Sequence, residues 1–508
     1  MKLLCLSCVS ATFELDNKDI YYCKEKYDVF LDDKKVLSDV KTNVFSLYNL
    51  IPNTNYVVKV NNQVFSFLTP KVSEVISSNG IDNTGESNVT KDLQALIDNC
   101  KENGLVVIEP GKYFITSLKL KSNMTLYLKE GSILSASIVE EDYEELKGEY
   151  VLENGEIKQV GTWEGSPFNL KYSIINGLDV ENVKVVGQGI VDGNAQLSTW
   201  WQTFKQKPYA RPHLVFFNHS KNITIQGIHL MNSPQWTVHP YFCENVNCID
   251  FKITNPKISP NTDGINPQCC NGVKIIGVHF SVGDDCIALK SGKMYIGQKY
   301  KKPCENIIIR NCLMQFGHGA IVLGSEMSGG IKNLTVERCY FDHTDRGLRI
   351  KTRRGRGNTA IIDNVEFNNI YMDNVLTPLV INMFYFCDPD GKTEYVYSKE
   401  KWPVDERTPY LGKFTFNNII AENSEVCAGY FYGLPEMFIK EININDSVFT
   451  FKEDAKPDKP AMMSFIEDHV KSGFVFNNVE TVNLKNVVVK GQVGKEFNSD
   501  GNGIVNYE

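Results

Sequence analysis

The stretch KNITIQGIHL, residues 221–230, contains the pattern that decides the fold. A polar turn with an asparagine precedes apolar residues at alternate positions, which indicates short β-strands with one buried face. Copies of this unit recur at ENVKVVGQGIV (181–191), ENVNCIDFKI (244–253), NGVKIIGVHF (271–280), ENIIIRNCLM (305–314), KNLTVERCYF (332–341) and DNVEFNNIYM (363–372), with weaker copies from Lys413, Lys440 and Glu480. One unit cannot bury its apolar face alone, whereas stacked units can. The repeats therefore predict an all-β chain built on a right-handed parallel β-helix.

The turn asparagines and one helix add detail to this prediction. Asparagine tolerates the left-handed backbone conformation and can form side-chain ladders between coils. Residues 88–103 have helical spacing, with Asn88 or Thr90 as the cap and Gly104 as the stop. We expect this helix to shield the open N-terminal edge of the solenoid. A β-sandwich array is the alternative fold, and it would require hairpin turns such as Asn-Gly at regular spacing.

Residues 1–70 are predicted to form a separate antiparallel β domain, followed by the solenoid over residues 71–508. Leu50, Pro52, Thr54 and Tyr56 alternate just before the strand VVKV. This pattern resembles the fibronectin type III sandwich, in which a corner tyrosine bonds back to the upstream backbone. The segment is short for that family, so the loss of one strand is an expectation.

Composition restricts the partners of the chain. The 508 residues are 42% hydrophobic and 22% charged, with a net charge of -8, which argues against a nucleic-acid surface. A local basic cleft can still bind an anionic substrate. No stretch is long enough to cross a membrane. The 14 irregularly spaced cysteines indicate buried free thiols in a reducing compartment.

The N-terminal segment MKLLCLSCVSATFELD has a short, diluted apolar run, which favours β-strands over a signal peptide. A cytoplasmic location is therefore predicted, and secretion is the alternative.

Polar clusters that the repeat does not need follow one another at intervals of about one coil. They are SPNTDGINP with Asp263, SVGDDCIALKSG with Asp284 and Asp285, QFGHGAIVLGSE with His318, and RGLRIKTRRGRGN with Arg349 and Lys351. Residues one coil apart stack at about 4.8 Å, so these groups are expected to share one groove. A carboxylic acid and a carboxylate can cleave a glycosidic bond, and two cations suit the carboxylate of an acidic sugar.

The adjacent Asp284 and Asp285 impose a geometric condition. Neighbours in a regular strand point to opposite faces, so the strand must break or bulge if both reach the cleft. Gly283 permits such a break. Crowded carboxylates also raise the proton affinity of at least one member, which a general acid requires.

Each of these residues also has a structural interpretation. Asp263 could close an Asx turn, the Asp284–Asp285 pair could bind calcium, and His318 could be structural. Trp236 and His239, in SPQWTVHP, are predicted to line a subsite, with core packing as the alternative. Arg353 is predicted to bind a further carboxylate, with a solvated loop as the alternative.

In this order on a β-helix, the motifs NTD, GDD, GHG and RIK resemble glycoside hydrolase family 28, the polygalacturonases, over residues 88–450. The resemblance implies a pectin-lyase-like solenoid that hydrolyses α-1,4-linked galacturonan with inversion, with no metal or cofactor. It implies Asp284 as the general acid and Asp263 and Asp285 as the groups that hold and deprotonate water. His318 would tune or relay protons to the acid, and Arg349 and Lys351 would bind the sugar carboxylate. Tyr385 matches a substrate-contacting tyrosine more loosely.

Three insertions interrupt the repeats, at residues 137–178, 194–212 and 384–412. Loops that close one end of a groove would favour exo-action on oligogalacturonides, and the N-terminal domain is similar to that of the bacterial exo-acting group. The alternatives are a rhamnogalacturonan- or xylogalacturonan-active hydrolase, a calcium-dependent pectate lyase, and a non-catalytic polysaccharide-binding β-helix. The sequence leaves the size of the product and the oligomeric state open.

Overall fold

The computed structural model describes residues 1–203 and 211–508. Part of the predicted insertion at 194–212 therefore lies outside the described residues. Within them, no helix is both long enough and apolar enough to span a bilayer. The helical segments are the α-helices Thr90–Asn99, Trp200–Thr203, Met294–Tyr300 and Glu394–Tyr397 and the 3-10 turns Glu140–Asp142 and Ala195–Leu197.

The first part of the chain forms two antiparallel sheets with their own apolar core. One has three strands, in the spatial order Lys2–Leu6, Ala11–Glu14 and Val44–Leu47. The other has four, in the order Lys34–Thr42, Tyr22–Leu31, Asn55–Val60 and Gln63–Leu68. Phe13, Val29 and Val58 are among the side chains buried between the sheets. The hydroxyl of Tyr56 accepts a hydrogen bond from the backbone N–H of Ile51 at 2.9 Å, as predicted for a corner tyrosine.

The remainder of the chain is a parallel β-helix with three walls. The first wall comprises Val75–Ser77, Gly104–Ile108, Met124–Leu128, Glu181–Gly187, Lys221–Gln226, Glu244–Ile249, Asn271–Ile276, Cys304–Arg310 and Ile331–Glu337. The second wall comprises Thr84–Asn88, Gly111–Ile115, Ser132–Ala136, Ile190–Asp192, His229–Met231, Lys252–Thr254, His279–Ser281, Leu313–Gln315 and Tyr340–Asp342. Longer strands then continue both walls, at Ile361–Asp373, Lys413–Ser424, Ile439–Phe451 and Val479–Lys490, with the shorter Tyr410–Leu411 and Ile504–Tyr507.

The third wall has two parts. The first contains Leu118–Lys119, Ile175–Leu178, Val215–Asn218 and Val238–Tyr241. The second contains Ile287–Leu289, Ile321–Gly324, Arg346–Lys351, Thr377–Asn382, Cys427–Tyr432, Ser472–Asn477 and Phe497–Ser499. Single bridges through Ile265 and Gln268 join the two parts. The coil that carries Asp263 therefore has no regular strand in this wall.

The predicted asparagine ladder is present along the first wall. The Asn182 side-chain amide donates to Asn123, and that of Asn222 donates to Asn182, at 2.7 and 2.9 Å. Asn333 and Asn364 continue the pattern further along. These asparagines adopt the left-handed conformation, which explains why the turn uses asparagine.

The predicted helix is shorter than expected. It spans Thr90–Asn99 and buries Leu93 and Ile97, but Gly104 begins a strand and does not stop the helix. A Cβ at Gly104 would lie 2.5 Å from the sulfur of Cys100, so glycine is needed there for close packing. The Gln94 amide donates to the Lys119 carbonyl and accepts from the Lys119 N–H. The helix thus caps the first strand of the third wall, as predicted.

The N-terminal sheets dock on the first wall through a buried ion cluster. The Glu14 carboxylate accepts hydrogen bonds from Arg310 at 2.7 and 2.8 Å and from Arg338 at 2.6 Å. The amide of Asn311 donates a further bond at 2.7 Å. Only 5% of the Glu14 side chain is exposed, so this contact excludes water and fixes the two parts together.

All 14 cysteines lie within the described residues and are free thiols. Every one except Cys387 is buried. The prediction of buried free thiols is confirmed for the remaining cysteines, and Cys387 is the exception.

Candidate active site

The four predicted clusters meet where the two parts of the third wall join. Ile265 bridges Val238 on one side and Ile287 on the other, and Ile287 pairs with Ile321 on the next coil. Asp263 and Asp285 each stand two residues before a bridged isoleucine, so they occupy equivalent positions on successive coils. The backbone confirms this stacking, because Gly264 N–H donates to the Asp285 carbonyl at 3.0 Å.

The regular strand geometry is interrupted at Asp284 and Asp285, as predicted. These residues lie in a bend between the strands His279–Ser281 and Ile287–Leu289. The backbone N–H of Asp285 donates to Oδ1 of Asp284 at 2.9 Å. A Cβ at Gly283 would lie 2.5 Å from the Ser259 carbonyl oxygen and 2.6 Å from that of Pro256. Gly283 therefore allows the bend to pack against the preceding coil.

Both aspartates face one cleft of ≈ 140 Å³. Its other lining residues include Trp163, Glu164, Trp236, Asn261, Asp263, Lys290, Lys293, Ser325, Glu326, Lys351, Tyr385, Cys387 and Asp388. The cleft is rich in charge, which suits a polar ligand.

Two cations hold Asp285. Nζ of Lys351 donates to Oδ2 at 2.7 Å, and the Arg349 guanidinium donates to Oδ1 at 3.3 Å. Burial raises the pKa of Asp285, but the charges of Lys351 and Arg349 outweigh it and place that pKa well below its usual range. Asp285 is therefore a carboxylate at neutral pH.

The pKa values of the other two acids are shifted in the opposite direction. Burial and the charge of neighbouring Asp284 raise the pKa of Asp263 well above its usual value. Burial and the charge of Asp285 raise the pKa of Asp284. The side-chain amide of Asn266 donates to Asp263 at 2.8 Å and fixes its position. The cleft thus places two carboxyl groups with raised pKa values beside one whose pKa is lowered, which is the arrangement that acid–base catalysis needs.

His318 lies one coil beyond the acids. Its backbone N–H donates to the Asp284 carbonyl at 3.2 Å, and its Nδ1 pairs with Asp345 at 2.8 Å. The hydrogen bond with Asp345 raises the pKa of His318, and the charges of Asp284 and Asp285 raise it further. The structure therefore places His318 on the coil next to Asp284, with about half of its side chain exposed.

Tyr385 and Trp236 both line the cleft. Tyr385 is 8% exposed, and Nζ of Lys351 lies 5.8 Å from its ring centroid. Trp236 stacks on Trp163 with a centroid distance of 5.7 Å, and Nζ of Lys290 lies 4.8 Å from the centroid of Trp236.

The structure does not place His239 or Arg353 among the residues that line the cleft. His239 is fully buried beneath Trp236, with Nδ1 3.3 Å from Nε2 of His213, so it packs below the cleft. Burial places the pKa of His239 well below its usual value, so the ring is neutral. Arg353 is 4% exposed and pairs with Asp388 and Asp390, so its charge is already neutralised.

Sequence reasoning missed a buried ion pair at the base of the cleft. Nζ of Lys290 and the carboxylate of Glu326 lie 3.1 Å apart, and both side chains are buried. Burial raises the pKa of Glu326, but Lys290 and Lys351 outweigh it and lower that pKa to about 2. A signal was present, since Lys290 lies within the motif GDDCIALKSG and Glu326 ends the motif GHGAIVLGSE.

The first and third insertions meet at the rim of the cleft. Nζ of Lys293 lies 3.0 Å from Asp388 in the third insertion and 3.9 Å from Glu164 in the first. Within the first insertion, short antiparallel pairs form at Glu145–Leu146 with Leu170–Lys171, Glu149–Val151 with Ile157–Gln159, and Thr162–Trp163 with Ser166–Pro167. The loops therefore build part of the wall of the cleft.

A later loop, which no sequence pattern revealed, covers the arginine side. The Arg346 guanidinium donates to the Pro460 carbonyl at 2.9 Å, and Asn382 donates to the Met462 carbonyl at 3.0 Å. Met463 forms an antiparallel bridge with Tyr385. This loop fixes the side of the cleft that contains Arg349.

A β-helix with clustered carboxylates and cations in one groove defines a class of protein suited to cleaving or binding acidic polysaccharides. Residues 151–402 match the model of the glycosyl hydrolases family 28. A probable polygalacturonase from Vitis vinifera is 33% identical over 327 residues, covering 63% of this chain. The chain spans 62% of the length of that relative. The chain is thus similar to family 28 over residues 151–402.

Two solved structures share the fold. A family 28 exopolygalacturonase from Yersinia enterocolitica has a TM-score of 0.73 at 18% identity, covering 100% of this chain and 97% of its own. A hyperthermoactive exopolygalacturonase from Thermotoga maritima has a TM-score of 0.68 at 24% identity, covering 83% of this chain and 93% of its own. At these identities the likeness concerns the fold.

Proposed function

We propose that the protein is a polygalacturonase that hydrolyses α-1,4-galacturonosyl linkages with inversion. The observation that carries the proposal is the contrast within one cleft between Asp285, held ionised by Lys351 and Arg349, and Asp284, whose pKa is raised. The match of residues 151–402 to family 28 supports the chemistry, and the two cations support a substrate with a carboxylate.

In the proposed reaction, Asp284 protonates the departing glycosidic oxygen. Asp285 and Asp263 hold a water molecule, and the ionised Asp285 accepts its proton as the water attacks the anomeric carbon. Asp263 has a raised pKa, so its part is to orient the water through a hydrogen bond. Lys351 and Arg349 contact the carboxylate of the sugar at the cleavage point while they keep Asp285 charged.

Exo-action on homogalacturonan or oligogalacturonides is part of the proposal. The contact of Lys293 with Glu164 and Asp388 joins two insertions at the rim, and a wall of this kind shortens the groove. Time-resolved chromatography of a defined oligogalacturonide tests this directly. We expect one small product from the earliest times, with little loss of viscosity on polygalacturonate. Mixed oligomers and a rapid fall in viscosity would contradict exo-action.

The hydrolase is distinguished from a silent polysaccharide-binding β-helix by Asp284→Asn. We expect this variant to lose activity by about 10²- to 10⁴-fold, because the proton donor is removed, while binding of oligogalacturonide by calorimetry persists. A wild type that binds the oligomer but releases no reducing sugar would support the binding protein.

A calcium-dependent lyase is less compatible with this cleft. Lys351 and Arg349 place two positive charges against Asp285, and these charges oppose the binding of a divalent cation. Activity that survives a chelator, with no absorbance from an unsaturated sugar, is the expected result.

We also infer that the N-terminal domain, proposed as residues 1–70, is fibronectin type III-like. Its three- and four-stranded sheets and the Tyr56 hydrogen bond support this inference. A cytoplasmic location stays a prediction from the sequence.

A further inference from the structure

His318 is held from the coil above by a residue that the sequence motifs did not single out. Its Nδ1 lies 2.8 Å from Oδ2 of Asp345. The backbone fixes Asp345 on both sides, because its N–H donates to the Gly317 carbonyl at 3.0 Å and its carbonyl accepts from Thr377 at 3.1 Å. The stacking of the coils therefore places the Asp345 carboxylate against the His318 imidazole.

The contact determines which ring nitrogen remains available. A carboxylate at Nδ1 fixes that nitrogen as a donor and sets the orientation of the ring. Nε2 has no hydrogen-bond partner among residues 1–203 and 211–508. The coil below His318 carries Asp284, whose carbonyl accepts the His318 N–H. The imidazole thus has one nitrogen committed to Asp345 and one that can exchange a proton.

The charges around this pair favour an imidazolium beside a carboxylate. Burial raises the pKa of Asp345, but the His318 hydrogen bond and the charges of Arg346 and Arg349 outweigh it and lower that pKa. The negative charges of Asp284, Asp285 and Asp345 all favour the protonated ring. About half of the His318 side chain is exposed, so the ring can also exchange protons with solvent.

We propose that Asp345 is a positioning residue that holds His318 oriented and charged, so that His318 returns a proton to Asp284 after each bond cleavage. Asp284 loses its proton to the departing glycosidic oxygen and becomes a carboxylate. The imidazolium donates its Nε2 proton to that carboxylate and becomes neutral, and bulk water then reprotonates the ring. The proposal rests on the proposed function, in which Asp284 is the acid.

The test uses Asp345→Asn in the full chain. Asparagine keeps the size of the side chain and an oxygen that can accept from Nδ1–H, but it removes the charge. The matched control is His343→Asn, which removes a neighbouring histidine that pairs with Asp342. His343 has a positive φ, a conformation that asparagine tolerates. The titration of His318 is followed by NMR of labelled histidine, with His318→Gln to assign its signal, alongside the pH profile of kcat on oligogalacturonide.

In Asp345→Asn we expect His318 to titrate at lower pH than in the wild type. We expect kcat to fall by about 10- to 100-fold at the alkaline end of the profile, less than the loss of a direct proton-transfer group. The control His343→Asn should leave both the His318 titration and the kcat profile unchanged. An unshifted His318 titration, or a shifted titration with an unchanged kcat profile, would overturn the proposal. The titration does not require catalysis, so a protein that cleaves no galacturonan would refute the proposed function separately.

Discussion

Replacing Lys351 by methionine tests the electrostatic basis of the cleft. Methionine keeps much of the aliphatic length but removes the ammonium group 2.7 Å from Asp285. Asp285 then retains only the longer contact to Arg349, at 3.3 Å. The buried carboxylate loses its shorter charged hydrogen bond, so its ionised form becomes less favourable.

The size of the effect follows from that one contact. A hydrogen bond to a charged group contributes about 1.5–3 kcal/mol, which corresponds to about 10- to 150-fold in kcat/KM. The direction in which the pH profile moves follows from the same contact. Lys351 lowers the pKa of Asp285, and the reaction needs the carboxylate, so removing the lysine raises that pKa. The acidic limb of the pH profile should therefore move to higher pH, with the greatest loss of activity on the acidic side.

The measurement is kcat/KM across pH, from reducing sugar released from an oligogalacturonide. Lys351→Arg is the matched control, since it keeps the charge while changing the geometry. We expect its acidic limb to stay near that of the wild type even if KM rises. An acidic limb of a folded Lys351→Met enzyme that coincides with the wild-type limb would refute the assignment of Asp285 as the ionised base.

Three further predictions concern other parts of the molecule. Glu14→Gln should lower the free energy of unfolding by about 1.5–3 kcal/mol in urea denaturation, since Arg310 and Arg338 lose their nearest anion and keep the longer contacts to Glu337; a loss below about 1 kcal/mol would contradict a tightly docked interface. Gly283→Ala should lower stability by about 1–3 kcal/mol and reduce activity, because its Cβ would overlap two backbone oxygens; unchanged melting and kcat would show that the bend is not tightly packed. Iodoacetamide should label Cys387 before the buried thiols and inhibit the enzyme, because this cysteine is exposed and lines the cleft; if Cys387→Ser is inhibited equally, another thiol is responsible.

The repeating part of the fold could be predicted from the sequence because each coil repeats the same local requirement. A turn asparagine such as Asn222 and the alternating Ile223 and Ile225 need only nearest-neighbour stacking to specify the solenoid. The same stacking places Asp263, Asp285 and His318 on successive coils, so motif order predicts their proximity.

What could not be predicted depends on contacts that motif order does not encode. Arg353 looks like free charge in the sequence, but Asp388 and Asp390, brought to it by the third insertion, neutralise it. His239 follows Trp236 closely along the chain, yet it is buried among the rings of His213, Phe216, Trp236 and Tyr241. The loop at Pro460–Met463 has no repeat signal, because it returns from a later coil.

Because the coils stack, the spacing of the reactive groups does not depend on the number of residues that connect them along the chain. Ile265 and Ile287 are bridge partners, and so are Ile287 and Ile321, although the second pair is connected by a longer stretch that includes the helix Met294–Tyr300. The wall therefore spaces its side chains by the distance between neighbouring coils. A residue inserted into a connecting loop changes the outline of the groove but leaves that distance unchanged. Loops around such a cleft can be exchanged to alter which substrates enter, while the acids stay in register.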